Sequence, residues 1–200
     1  MRLILKPQFG LSDVRTDAEE QAFRSSARVD QTVAEFSFTD TINSEEELRA
    51  TCGAPSWFQS KILSTLNARC RQFIAESPFL VLASSGVEGR VDTSPKGDQP
   101  GFVHVLDDLT LAVPDRDGNR RLDTFTNVLQ NPNVGLIFFV PGRRETLRVN
   151  GKARIVRDVV LLQRMALKGK APKVAALVSI ERAFFHCGSC IARSQLWGPA

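Results

Sequence analysis

Histidine is nearly missing from this sequence: 200 residues contain only His104 and His186. No Gly-x-Ser-x-Gly elbow is present either, and with two histidines no Ser-His-acid nucleophilic triad is evident. Neither a Gly-x-Gly-x-x-Gly turn nor a Walker loop occurs, which removes the familiar nucleotide-binding fingerprints. No apolar run approaches the roughly 20 residues that cross a bilayer. Leu3-Ile-Leu5 is cut off by Lys6-Pro7, too short for a secretory core, and Glu19-Glu20 argues against a transit peptide. The expected compartment is therefore the cytoplasm, with no membrane partner. Block charge is lacking as well. The 26 basic and 22 acidic residues leave a net charge of +4 and a pI of about 9.1, with the basic residues dispersed. Nucleic acid is consequently not expected as a partner, whereas a small anionic ligand suits the balance.

The four cysteines, Cys52, Cys70, Cys187 and Cys190, are expected to be reduced in that compartment. Cys187-Gly-Ser-Cys190 is half of a metal site with no second pair, and a c-type haem site would need its histidine after the second cysteine. His186 precedes the first. No metal is expected. A redox dithiol near a helix start is one chemical reading of the pair. The bland reading buries His186 and Cys187 against the last strand and makes His104 a structural strand residue.

What is present supports one domain with a tail, since 42% of residues are hydrophobic. Residues 1–42 read as a partly irregular arm and 43–200 as the folded domain. Phe9, Phe23, Phe36 and Phe38 in the arm point to contact with the body or with a second subunit. Ser44 with Glu47 forms a capping-box start, and Gly53 closes that helix. The stripe Phe58, Ile62, Leu66, Cys70, Phe73, Ile74 predicts one helix ending at Ser77-Pro78. From Phe79 the period becomes two. Strands are expected over 79–84, 90–94, 102–106, 109–113, 134–140, 145–149, 152–156 and about 174–185, with a turn or bulge at Asn150-Gly151. Helices are expected over about 158–167 and near the end, from Cys187 to Trp197. The fold class is mainly β and antiparallel, with peripheral helices, and closing the sheet into a barrel removes its edges.

One stretch gathers the chemistry: Asp115-Arg-Asp-Gly-Asn-Arg-Arg-Leu-Asp123. It follows an apolar strand and precedes a helix with Leu122, Phe125, Val128 and Leu129 on roughly one face. Backbone N–H groups at a helix start are unpaired and favour an anion. Guanidinium forks add bidentate hydrogen bonds that suit phosphate. Arg120 and Arg121 therefore read as a phosphate clasp, against the alternative of a solvated face.

The order and spacing of Val91-Asp-Thr-Ser-Pro-Lys96, Pro114-Asp115, Gly118-Asn-Arg-Arg121, Asn131-Pro132 and Glu145-Thr-Leu-Arg-Val-Asn-Gly151 resemble the pyridoxamine 5'-phosphate oxidase-like flavoproteins. These are FMN-binding split β-barrels, and the likeness covers about half the chain. It implies FMN as cofactor and a homodimer with the flavin in a cleft between subunits. It also implies that Ser94 and Lys96 lie along the flavin, that Pro114 and Asp115 contact it, and that Arg120 and Arg121 hold its phosphate. Thr146 and Arg148 are implied to reach the ring from the partner subunit, and Trp197 to match a C-terminal tryptophan near the flavin. The oxidase proper carries a further arginine and histidine in a longer C-terminal segment, so vitamin B6 oxidation is not implied. The expected function is an FMN-dependent oxidoreductase acting on an unidentified small molecule. The rivals are a non-catalytic flavin carrier, a deazaflavin-dependent reductase on the same barrel, and a basic module that binds RNA or another polyanion.

Overall fold

The computed structural model describes residues 40–54, 61–118, 120–186 and 188–198. The arm up to residue 39, with its four phenylalanines, lies outside them, as do Phe58, Asn119 and Cys187. The chain divides into two compact units, 1–54 and 55–200. In the first, helix α1 spans Glu45–Cys52. The Ser44 hydroxyl accepts the Glu47 N–H (3.1 Å), while Glu47 Oε2 accepts the N–H of Asn43 (2.9 Å), one residue earlier than a standard box. Gly53, at φ +81°, ends the helix by donating to Arg49 (2.8 Å).

In the second unit, helix α2 spans Ala68–Glu76, starting later than the stripe from Phe58 predicts. Two local contacts explain the correction. Leu63 exchanges both backbone hydrogen bonds with Ala183 at 2.8 Å, and Leu66 donates to Asp108 (2.8 Å), so these amides are taken by strands and turns. The Asn67 side chain then accepts the Cys70 N–H (3.0 Å) and sets the true N-cap. Leu66, Cys70, Phe73 and Ile74 are nevertheless buried, as the stripe requires. Burial pushes the Cys70 thiol above its ordinary value, so it stays a neutral packing group.

Seven antiparallel strands follow: β1 Phe79–Ser85, β2 Val91–Gly97, β3 His104–Asp107, β4 Thr110–Pro114, β5 Asn133–Phe139, β6 Thr146–Val156 and β7 Ala175–His186. Their order is β2-β1-β5-β6-β7-β4-β3. The hydrogen-bond ladder does not close. It opens between β2 and β3, giving a split barrel rather than a sealed one. Pro95 lies in β2, which suits an edge strand because proline has no N–H to offer the ladder. The two strands expected over 145–149 and 152–156 are one continuous β6. The register shift between Asn150 and Gly151 leaves Glu181 of β7 unopposed, a β-bulge.

Strand alternation sorts the two faces. Leu80 and Leu82 of β1, Val134, Leu136 and Phe138 of β5, and Leu147 and Val149 of β6 point inward to the core. Helix α3, Asp123–Gln130, packs on β1, β6 and β2 through Phe125 and Val128. Leu122 and Leu129 are exposed, contrary to the face expected for them, and Thr124 is buried instead. Helix α4, Val159–Arg164, covers the opposite side of β4 and β7 with Leu162 beside Met165, Ala112 and Leu177. The short helix α5, Ser189–Ser194, buries Ile191. His186 is exposed, contrary to the bland reading, because it ends β7 where no element covers it. No helix among the described residues is long and apolar enough to cross a membrane.

Candidate functional site

Where the ladder opens lies a groove of about 890 Å³, within the roughly 300–1,000 Å³ of typical ligand sites. One wall is β2. Its register pairs Lys96 with Leu80 and Ser94 with Leu82, so both side chains turn to the core side of the sheet. Among the described residues no further strand pairs with this edge, and they line the groove. The Lys96 ammonium stands 5.9 Å from the centroid of the Phe125 ring. Pro114, the last residue of β4, and Asp115 form the floor, with the Asp115 N–H donating to Val174 (3.1 Å).

Burial pushes the Asp115 carboxyl above its ordinary range; Lys96 pulls it back and Asp117 pushes it further. The sign follows directly. A carboxyl raised by folding weakens the native state wherever it is ionised, and the penalty vanishes as pH falls to its ordinary value of 3.8. Asp115→Asn should therefore raise the melting temperature near neutral pH. That gain should shrink as the melts are repeated towards pH 4; a gain independent of pH would overturn the account.

Arg116 braces the next stretch. Its Nε donates to Asp98 Oδ2 (2.7 Å) and its guanidinium to the Met165 carbonyl (2.8 Å), tying the β2–β3 loop and the segment after α4 to the far wall. Beyond it, Arg120 and Leu122 both adopt left-handed backbone, at φ +59° and +58°. Side chains with a Cβ visit that region at a cost of roughly 1 kcal/mol or more, and such residues cluster at ligand sites. Because Leu122 is the N-cap, α3 starts at Asp123, after the two arginines rather than at them. No side chain caps its first turn, so its leading amides face the groove region without a side-chain acceptor. Both arginines are exposed and line the groove, and Arg121 Nε donates to Asp123 (2.8 Å).

The family model for pyridoxamine 5'-phosphate oxidase matches residues 66–187, more than half of the chain. The chain belongs to the pyridoxamine 5'-phosphate oxidase family. No curated protein matches it. Among solved structures it is similar to HupZ from Group A Streptococcus, with 19% identity over 60% of this chain and 93% of that one, TM-score 0.48. It is also similar to an FMN-binding protein from Syntrophomonas wolfei subsp. wolfei, at 11% identity over 57% and 86%, TM-score 0.44. General Stress Protein 26 from Bacillus anthracis str. Sterne gives 20% over 57% and 88%, TM-score 0.41. At these values the likenesses carry no argument about ligand or activity.

In this pyridoxamine 5'-phosphate oxidase family member, six of the expected residues share one groove: Ser94, Lys96, Pro114, Asp115, Arg120 and Arg121. Three do not line it. Thr146 is buried at the start of β6, opposite His186, and Arg148 lies on the outward face with its guanidinium 5.2 Å from the Phe184 ring. Strands β1 and β5 separate β6 from β2, on the order of 14 Å. Trp197 is half-exposed, its indole N–H donating to the Arg143 carbonyl (2.8 Å). Thr124, Asp117, Lys170 and Lys173 also line the groove and carry no motif in the sequence. Only the short basic run Lys168-Gly-Lys-Ala-Pro-Lys173 could have hinted at the lysines.

Proposed function

We propose that this groove holds FMN and that a pair of chains works as an FMN-dependent oxidoreductase on a small molecule. The observation that carries the reading is the convergence of Ser94–Lys96 of β2 with Pro114–Asp115 and Arg120–Arg121, about 20 residues further on, on one groove of suitable volume. The residues fit the group. The arginines and the uncapped start of α3 suit a phosphate, while Ser94 and Lys96 supply a hydroxyl and a cation along β2 for polar ring atoms. Bound FMN would supply the hydride chemistry, for which the chain offers no nucleophile–base pair of its own. The protein's work is to bind, to orient and to keep positive charge close to the ring edge through Lys96.

Dimerisation is supported by the outward face of β1 and β5. Phe79, Val81, Ala83, Ile137 and Phe139 present apolar surface there that no described element covers. Arg148 shares this face, since it pairs with Ile137, and so could serve a groove only in a second copy. A native visible spectrum, with mass identification of whatever heat releases, tests the cofactor; a colourless protein that takes up no FMN refutes it. Anaerobic bleaching by a nicotinamide or substrate panel, then recovery in air, tests the enzyme against a mere carrier. Ile137→Glu is expected to give monomers by light scattering with a native circular dichroism spectrum. A dimer unchanged by that charge would place the contact elsewhere.

A further inference from the structure

Lys170 and Lys173 lie in the segment between α4 and β7, far in sequence from Arg120 and Arg121, yet all four side chains line the same groove. The segment is held firmly. Leu167 and Lys170 exchange backbone hydrogen bonds of 3.0 and 2.9 Å, and Lys168 and Gly169 between them are both left-handed, at φ +50° and +79°. Positive φ at both central residues is the signature of a type I′ turn, which presents Lys170 from a fixed base. Lys170 is ion-paired with Asp117 in the loop that leads to α3. That carboxylate is held below its ordinary range first by the hydrogen bond and charge of Lys170, then by Lys173 and Arg120. Cations from two separate stretches of the chain thus converge on one exposed acidic group.

Charge balance shows what they lack. Arg120 and Arg121 face Asp117 and Asp123, so the arginines alone leave no positive excess at this end of the groove. The two lysines add two positive charges, against the −1.5 to −2 of a phosphate monoester near neutral pH. We propose that Lys170 and Lys173 form the second arm of the phosphate site, joining Arg120 and Arg121 around the anion from a separate stretch of the chain, with Asp117 occupying Lys170 until a phosphate displaces it. This rests on the FMN reading of the groove and names residues that the family motifs do not contain.

The test is a fluorescence titration of cofactor-free protein with FMN and with riboflavin, at low salt, for wild type and two exposed-site variants. Lys170→Ala with Lys173→Ala is expected to weaken FMN at least about tenfold and riboflavin less than about twofold, because only FMN carries the phosphate. Asp117→Asn, which frees Lys170, is expected to tighten FMN about threefold and to leave riboflavin unchanged; a gain of affinity cannot come from misfolding. Unchanged FMN binding in the lysine variant, or equal losses for both ligands, overturns the second arm. Wild type that binds neither flavin overturns the FMN reading itself.

Discussion

Replacing Arg120 and Arg121 together by alanine is expected to lower FMN affinity by about 100-fold while the circular dichroism spectrum and melting temperature stay close to wild type. Hydrogen bonds to charged groups contribute about 1.5–3 kcal/mol each, and each 1.4 kcal/mol is tenfold in affinity. Both side chains are exposed, which screens them and places the expectation at the low end for the pair. Stability should be indifferent for the same reason: neither arginine enters the core, and alanine keeps the Cβ, so the left-handed backbone at Arg120 is no more strained than before. Riboflavin is the control, since it lacks the phosphate. If FMN affinity were untouched, the clasp would be wrong and the two arginines merely a solvated rim.

Gly151→Ala should be strongly destabilising. At the bulge between Asn150 and Gly151, a Cβ would be driven into the backbone carbonyl of Ser179 on β7. Backbone on both sides is fixed by the β5–β6 and β6–β7 ladders, so nothing flexible can yield. Overpacking of this kind costs about 1–3 kcal/mol or more. In a chain of this size a loss of about 3 kcal/mol lowers the melting temperature by roughly 6–12 °C. Thermal melts of the two proteins under one buffer check it. Gly142, by contrast, has open space around the position of a Cβ, although its φ of +79° still strains any substitute. An unchanged melting temperature for Gly151→Ala would mean that the sheet relaxes around the close approach at the bulge.

Much of the fold was legible because the strand period and turn residues act locally. Ser77-Pro78, Asn131-Pro132 and the inward alternation of β1 and β5 say where elements stop and which face they bury. Tertiary contacts decided the rest. The stripe from Phe58 to Ile74 has helical spacing throughout, yet Ala183 and Asp108 capture the backbone of Leu63 and Leu66 and delay the helix to Asn67. Leu122 and Leu129 have the right period for the core but fall outside it, because the left-handed N-cap rotates the entry of α3 so that Thr124 faces inward. For the groove, motifs picked out lining residues of β2 and of the loop before α3. Lys170 and Lys173 escaped because they reach the groove on a turn brought alongside from another part of the chain, and an exposed lysine looks the same in sequence whether or not it faces a groove. Thr146, Arg148 and Trp197 could not be assigned to the groove of their own chain by spacing alone, since strand period gives a face but not the partner that face meets.

Pro95 has one more implication. An uncovered sheet margin normally invites another polypeptide to add itself, rung by rung, and so to polymerise. On β2 that template is broken halfway by a residue with nothing to donate. The barrel can therefore keep its opening without runaway self-association along that margin.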